Sequence, residues 1–124
     1  AIGKFQAIQH QLSVMAEHVA AARMAAEAGF ASDSSRPTVS ACAVAKARAS
    51  EAAQQVASIA HAVHGAIGVT EEYDLQLYTR RLHDWRAAHG SEAHWHRLLG
   101  RLFVDSAAPL AVDFIRSLHE QAAA

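Results

Sequence analysis

Residues 64–81 read HGAIGVTEEYDLQLYTRR, and how this stretch breaks one helix and starts another decides the reading of the chain. An Ala-rich segment runs into Gly65 and Gly68, residues free to take the backbone angles that end a helix. Thr70 stands where an N-cap belongs, with Glu71 and Glu72 in the expected first turn, where carboxylates suit the helix dipole. Tyr73, Leu75, Leu77 and Tyr78 follow, then the paired Arg80 and Arg81.

Near the start, residues 3–12 read GKFQAIQHQL. With residues 64–81, this segment resembles the C-terminal region of the acyl-CoA dehydrogenase family. The family's own pattern runs Gln-x-His/Leu-Gly-Gly-x-Gly, then a Thr/Glu-rich turn, a Tyr and an Arg-Asp pair. The likeness can be followed without a large gap to about Phe103. It implies an all-α, up-and-down helical bundle that starts after the first helix of the family's C-terminal bundle. Much of the acyl-CoA pocket and the flavin ring site would then lie elsewhere, and the opening at Ala1, in mid-motif, is expected of a piece of a longer protein.

Composition agrees with a helical domain. The 124 residues are 52% hydrophobic but only 6% aromatic, so Ala, Leu, Val and Ile dominate and helices are favoured over sheet. A net charge of −1 excludes a strongly basic nucleic-acid footprint. The single cysteine, Cys42, has no internal disulfide partner and fits a reducing compartment, so a cytoplasmic location is expected. No apolar run is long enough to span a bilayer.

Periodicity predicts helices at about residues 3–28, 39–64, 71–88, 92–104 and 110–121 within one domain, residues 1–124. In the first, Phe5, Ile8, Leu12, Met15, Val19, Ala22 and Ala26 alternate steps of three and four and make one apolar stripe. Gly29 is its expected stop, and residues 32–37, SDSSRP, read as a loop. Thr38 is a candidate N-cap for the second helix, whose Ala, Ser and Val let a neighbour approach closely. Leu75, Tyr78, Leu82 and Trp85 are expected on one face of the third helix, and Ser91 caps the fourth. If the bundle's first helix is missing, one side of the stripe lacks its usual partner, and the expectation is that the chain covers it by self-association.

The resemblance implies α,β-dehydrogenation of acyl-CoA thioesters, in which a carboxylate removes the α-proton while FAD takes the β-hydride. In the commonest subfamily the base is a Glu before Gly-Thr/Ser, sixteen residues after the Tyr. Counting from Tyr73 reaches His89, followed by Gly90 and Ser91: the Gly-Ser is kept and the carboxylate is not. Glu92 is close in sequence but lies past the glycine, on the next helix. A positioned base contributes about 10²- to 10⁴-fold in rate. Three readings stay open: His89 is itself the base, it replaces the base in a subunit that has lost chemistry, or it lines a pocket whose base sits upstream. Without the missing parts, the chain alone is expected to be inactive.

Family members also bind a neighbouring subunit's FAD, and the positions this implies here are Ile2, Phe5, Gly65, Ala66 and Ser91. A glycine at 65 lets phosphates approach the backbone, and Ser91 can face an anion at a helix N-terminus. Ala62 and Ala93 stand where the family often has Gln, and Ala66 replaces its second glycine, so weakened flavin contacts are expected. The implied partners are acyl-CoA and either a second copy of the chain or a homologous catalytic subunit, with no nucleic acid and no membrane. A different class of reading is a non-catalytic helical assembly module.

Nine histidines raise the question of a metal. His61 and His64 share a helical face, but the i, i+2 pair His94 and His96 diverges. Neither a HExxH motif nor a cysteine joins them, so no metal site is expected. Arg80 is expected to pair with Asp84 four residues on, and Trp85 and Trp95 are read as packing residues.

Overall fold

Among the described residues α1 (Gln6–Gly29), α3 (Leu75–Ala87), α4 (Glu92–Asp105) and α5 (Ala111–Ala123) are arranged around α2 (Val39–His64), which contacts each of them. The computed structural model describes residues 1–31 and 36–123, and of His119 and residues 121–123 only the backbone. The loop expected at residues 32–37 therefore lies mostly outside the described residues. Among those described there is no strand, and no helix is long and apolar enough to cross a membrane.

The α1–α2 hairpin follows from small residues. Ser40, Ala43, Ala47, Ser50 and Ala57 are buried along α2 at steps of three, four and seven, a heptad-like seam with no bulky side chain. The facing row of α1 is Ile8, Gln11, Met15, His18, Ala22 and Ala25, half-buried, ending at buried Gly29. A Cβ on Gly29 would meet Ala45 Cβ at 3.4 Å, so the glycine lets the helices close at that end. The expected stripe is only partly covered. Ile8, Met15, Ala22 and Ala26 are half-buried, whereas Phe5, Leu12 and Val19 remain 66%, 43% and 50% exposed. The polar Gln11 and His18 take the inner row because the heptad seam of α2, not hydrophobicity alone, sets the contact.

Thr38 caps α2 as expected: its Oγ1 accepts from Ala41 N at 3.1 Å. Gly65 ends the helix with φ +64°. Gly68 does not take a left-handed angle; it sits in the 3-10 turn Gly65–Val69. A Cβ there would lie 2.8 Å from His64 Cβ and 3.3 Å from Leu75 Cδ2, so close packing is what requires it.

The third helix starts later than the spacing predicts. Thr70 is not its N-cap: the hydroxyl donates back to Ile67 O at 2.9 Å and closes the 3-10 turn. Residues 71–74 form a turn, and Asp74 occupies the N-cap position without a side-chain bond. The inward face also differs. Leu75, Thr79, Leu82 and Arg86 turn toward the bundle, while Tyr78 and Trp85 are 68% and 63% exposed. A polar Thr79 is tolerated inside because its hydroxyl bonds His61 Nε2 at 3.0 Å and Leu75 O at 3.3 Å. Trp85 therefore packs no core; it stacks under Arg81, whose Cζ is 5.8 Å from the ring centroid. Arg80 bonds Gln76 Oε1 at 3.3 Å and makes no ion pair with Asp84.

α3 and α4 run in succession along α2, both antiparallel to it. Thr79 lies level with His61, and the end of α3 lies level with Lys46 and Ser50. Leu102 and Ser106, at the end of α4, flank Thr38 and Ser40 at the start of α2. α5 returns over that end, where Phe114 meets Phe103 at 5.4 Å between centroids. An apolar groove of about 410 Å³ opens there, walled by Met24, Val44, Ile115 and Leu118.

Candidate functional site

The turn between α3 and α4 carries His89, the residue that the resemblance implies at the family's base position. Its backbone is unusual: His89 has φ +58° and Gly90 φ +98°. A left-handed histidine costs about 1–2 kcal/mol, and the turn is held by cross-links from three directions. Lys46 on α2 reaches under the end of α3, its Nζ donating to Trp85 O and Arg86 O, each at 3.0 Å, and to Ser50 Oγ at 2.7 Å. Ser50 Oγ also donates to Arg86 O at 3.4 Å. Arg86 and Glu92 close the turn with a forked ion pair, Nε donating to Oε2 at 2.9 Å and Nη2 to Oε1. Trp95 Nε1 donates to Gly90 O at 3.1 Å.

The electrostatics follow from these contacts. The hydrogen bonds from Arg86 hold the Glu92 carboxyl below its ordinary value, helped by Glu92's own backbone N–H. Burial lowers the Lys46 ammonium, with the charge of Glu92 opposing the shift. Glu92 is thus a committed structural carboxylate. His89 is exposed, and among the described residues it has no hydrogen-bond partner. Ser91 occupies the N-cap position of α4, but its side chain makes no capping bond, so the expected cap is positional only.

The residues implied for the flavin divide between two places. Ile2 and Phe5 lie just before α1, Gly65 and Ala66 just after α2, and the antiparallel hairpin puts both pairs at the same end of the bundle, all four exposed. Space for a Cβ at Gly65 is clear, with nothing within 4 Å. Its amide, however, already donates to His61 O. Ser91 is grouped with His89 instead. The turn lies level with Lys46 and Ser50, roughly 25 Å along α2 from Gly65 at 1.5 Å per residue.

The histidines on α2 are engaged within the chain. His61 bonds Thr79, and its Nδ1 is buried without a partner, so it is a packing residue. His64 Nδ1 bonds Ala60 O at 2.7 Å, and its ring lies 5.1 Å from Tyr73. Among the described residues no three His, Cys, Asp or Glu side chains are placed to hold a metal ion. The sequence reading missed Lys46 and the Arg86–Glu92 pair. An i, i+6 spacing across a Gly-Ser turn matches no helical pairing rule, and a lysine amid alanines carries no sign of its partner some forty residues on.

Comparison with known proteins agrees with this architecture. The family model for the acyl-CoA dehydrogenase C-terminal domain matches residues 1–102. A protein named acyl-CoA dehydrogenase IpdE2 from Mycolicibacterium smegmatis is 40% identical over 82 residues, 66% of this chain and 25% of that protein. Its namesake from Mycobacterium tuberculosis is 39% identical over 83 residues, 66% of this chain and 24% of the relative. The chain thus spans about a quarter of the length of these curated relatives. No solved structure matches.

Proposed function

The chain belongs to the acyl-CoA dehydrogenase family, as its C-terminal helical domain, and we propose that it serves there as a scaffold without a catalytic base. In this reading the end of the bundle formed by Ile2, Phe5, Gly65 and Ala66 helps hold FAD across a subunit interface, and the bundle closes one side of an acyl-CoA pocket. FAD, when bound, supplies the hydride acceptor for α,β-dehydrogenation. The chain's own residues would exclude water and position ligands. The clear space over Gly65 suits a bulky cofactor approaching the backbone there.

The observation that carries the reading is the state of the turn at His89. The resemblance implies an imidazole, His89, where the family has its carboxylate, and the adjacent carboxylate of Glu92 is tied to Arg86. A carboxylate clamped by guanidinium is a weak proton acceptor. The same observation favours the second reading, an inactive partner subunit or assembly module that supports a catalytic homologue.

The test is made on the longer protein that carries this domain. Turnover of acyl-CoA by His89→Ala should equal wild type, while Gly65→Val and Phe5→Ala should lower flavin content. A drop in turnover of tenfold or more in His89→Ala at full flavin content would identify His89 as the base and overturn the scaffold reading. Full flavin occupancy in both Gly65→Val and Phe5→Ala would remove the flavin role.

A further inference from the structure

The outward side of α3 carries apolar residues that the bundle leaves in water. Leu77, Tyr78 and Trp85 are 56%, 68% and 63% exposed. At about 100° of rotation per residue, they share an arc of about 100° with Asp74 and Arg81, which are exposed as well. Arg80 and Asp84 fall to one side of this arc. Both charges on the arc are uncommitted. Asp74 stands at the N-cap position of α3 without a side-chain hydrogen bond. Among the described residues neither Asp74 nor Arg81 belongs to an ion pair. Arg81 lies over the Trp85 ring instead, which keeps its guanidinium on the outer side of the helix.

The two charges and the apolar residues between them are arranged about one point. Asp74 and Arg81 are seven residues apart, about two turns, and their midpoint falls between Leu77 and Tyr78. A second α3 laid antiparallel about a two-fold axis through that point sets Asp74 of each copy level with Arg81 of the other. Both ion pairs then form together, and Leu77 and Tyr78 of the two copies meet between them. Trp85 extends the contact beyond each pair, toward Thr70 of the second copy. A parallel arrangement in the same register would set each charge against its like, so charge selects the antiparallel one.

We propose that this face of α3 pairs with the same face of a second copy of the chain, antiparallel and centred between Leu77 and Tyr78. Tyr, Trp and Arg are the side chains enriched where proteins meet. A patch that complements itself about a two-fold axis is what pairing of like chains requires. The face covers about three turns of one helix, so the pairing is weak and adds to whatever association α1 makes. It requires neither flavin nor acyl-CoA and holds whether or not the proposed function does.

Disulfide trapping reads a weak contact of this kind. With the native thiol removed by Cys42→Ala, Leu77→Cys puts the chain's one cysteine beside the two-fold axis, and Gln54→Cys on the exposed side of α2 serves as control. Under mild oxidation Leu77→Cys should give clearly more disulfide-linked dimer than the control. Adding Asp74→Arg or Arg81→Asp to Leu77→Cys should lower the yield by about fivefold or more, because by symmetry each change turns two attractive pairs into two repulsive ones. An equal mixture of these two variants should recover the yield as a mixed dimer, identified by mass, since one chain then brings two positive charges and the other two negative. Circular dichroism should be unchanged throughout. A yield no greater than the control's would assign the face to a partner of different sequence and overturn the proposal. Indifference to either charge reversal, or no recovery in the mixture, would overturn it as well.

Discussion

Arg86 and Glu92 are joined across the α3–α4 turn by two parallel hydrogen bonds, and this pair ties the last turn of one helix to the first turn of the next. The guanidinium keeps the carboxylate ionised below its ordinary value of 4.5. Between the unfolded value and the lowered folded one, the unfolded chain binds more protons. Stability from this pair is therefore complete above about pH 4.5 and drains away as pH falls through the folded value. Glu92→Gln should lower the melting temperature at pH 7 and flatten the loss of stability on acidification. An acid limb identical to wild type would show that the pair contributes nothing.

Lys46 should be the second anchor of the turn. Lys46→Met removes donors to Trp85 O, Arg86 O and Ser50 Oγ while keeping the aliphatic stem. Leaving the α3 carbonyls without these partners should cost about 1–2 kcal/mol. In amide exchange the loss should concentrate at the end of α3 and at residues 88–91. Exchange raised uniformly across α2 instead would mean that Lys46 serves the hairpin and not the turn.

The sequence carried the helices wherever one signal ruled. The second helix runs from Val39 to His64 because Thr38 caps it and Gly65 stops it, both local effects. The third failed at its start because Thr70 had two uses for one hydroxyl, and the bond back to Ile67 won over the cap. The face of α3 was misread because Tyr78 and Trp85 are more apolar than Thr79 and Arg86. Yet Thr79 has His61, and Arg86 has Glu92, partners on other elements that no periodicity reveals. That His89 falls between two helices was legible from Gly90 and Ser91; its left-handed backbone and the lock around it were not.

Two glycines in one turn should respond differently to alanine. At Gly68 a Cβ would lie 2.8 Å from His64 Cβ, and neither atom can swing aside, so Gly68→Ala should cost about 1–3 kcal/mol as an overpacked site. At Gly65 the space is open, but φ +64° with ψ −145° is backbone that a side chain resists by about 1–3 kcal/mol. Urea denaturation should therefore show both variants destabilised, Gly68→Ala by contact and Gly65→Ala by backbone strain. No loss in Gly68→Ala would mean that the 3-10 turn relaxes around the added methyl, and no loss in Gly65→Ala that the end of α2 rearranges.

The outer row of α1 gives the last expectation. Phe5, Leu12 and Val19 recur every seven residues and are all exposed, while the row beside them packs on α2. Fully burying such side chains gains about 1.5–3 kcal/mol each, so the chain alone should cover them with a second copy. Sedimentation velocity at micromolar concentration should show self-association. The double substitution Leu12→Glu and Val19→Glu should give a monomer of unchanged helix content, because neither residue belongs to the α1–α2 seam. A wild-type chain that stays monomeric would show that the row is tolerated in water without a partner. Loss of helix in the double variant would show instead that Leu12 and Val19 hold α1 to α2, and the heptad seam would have to be redrawn to include them.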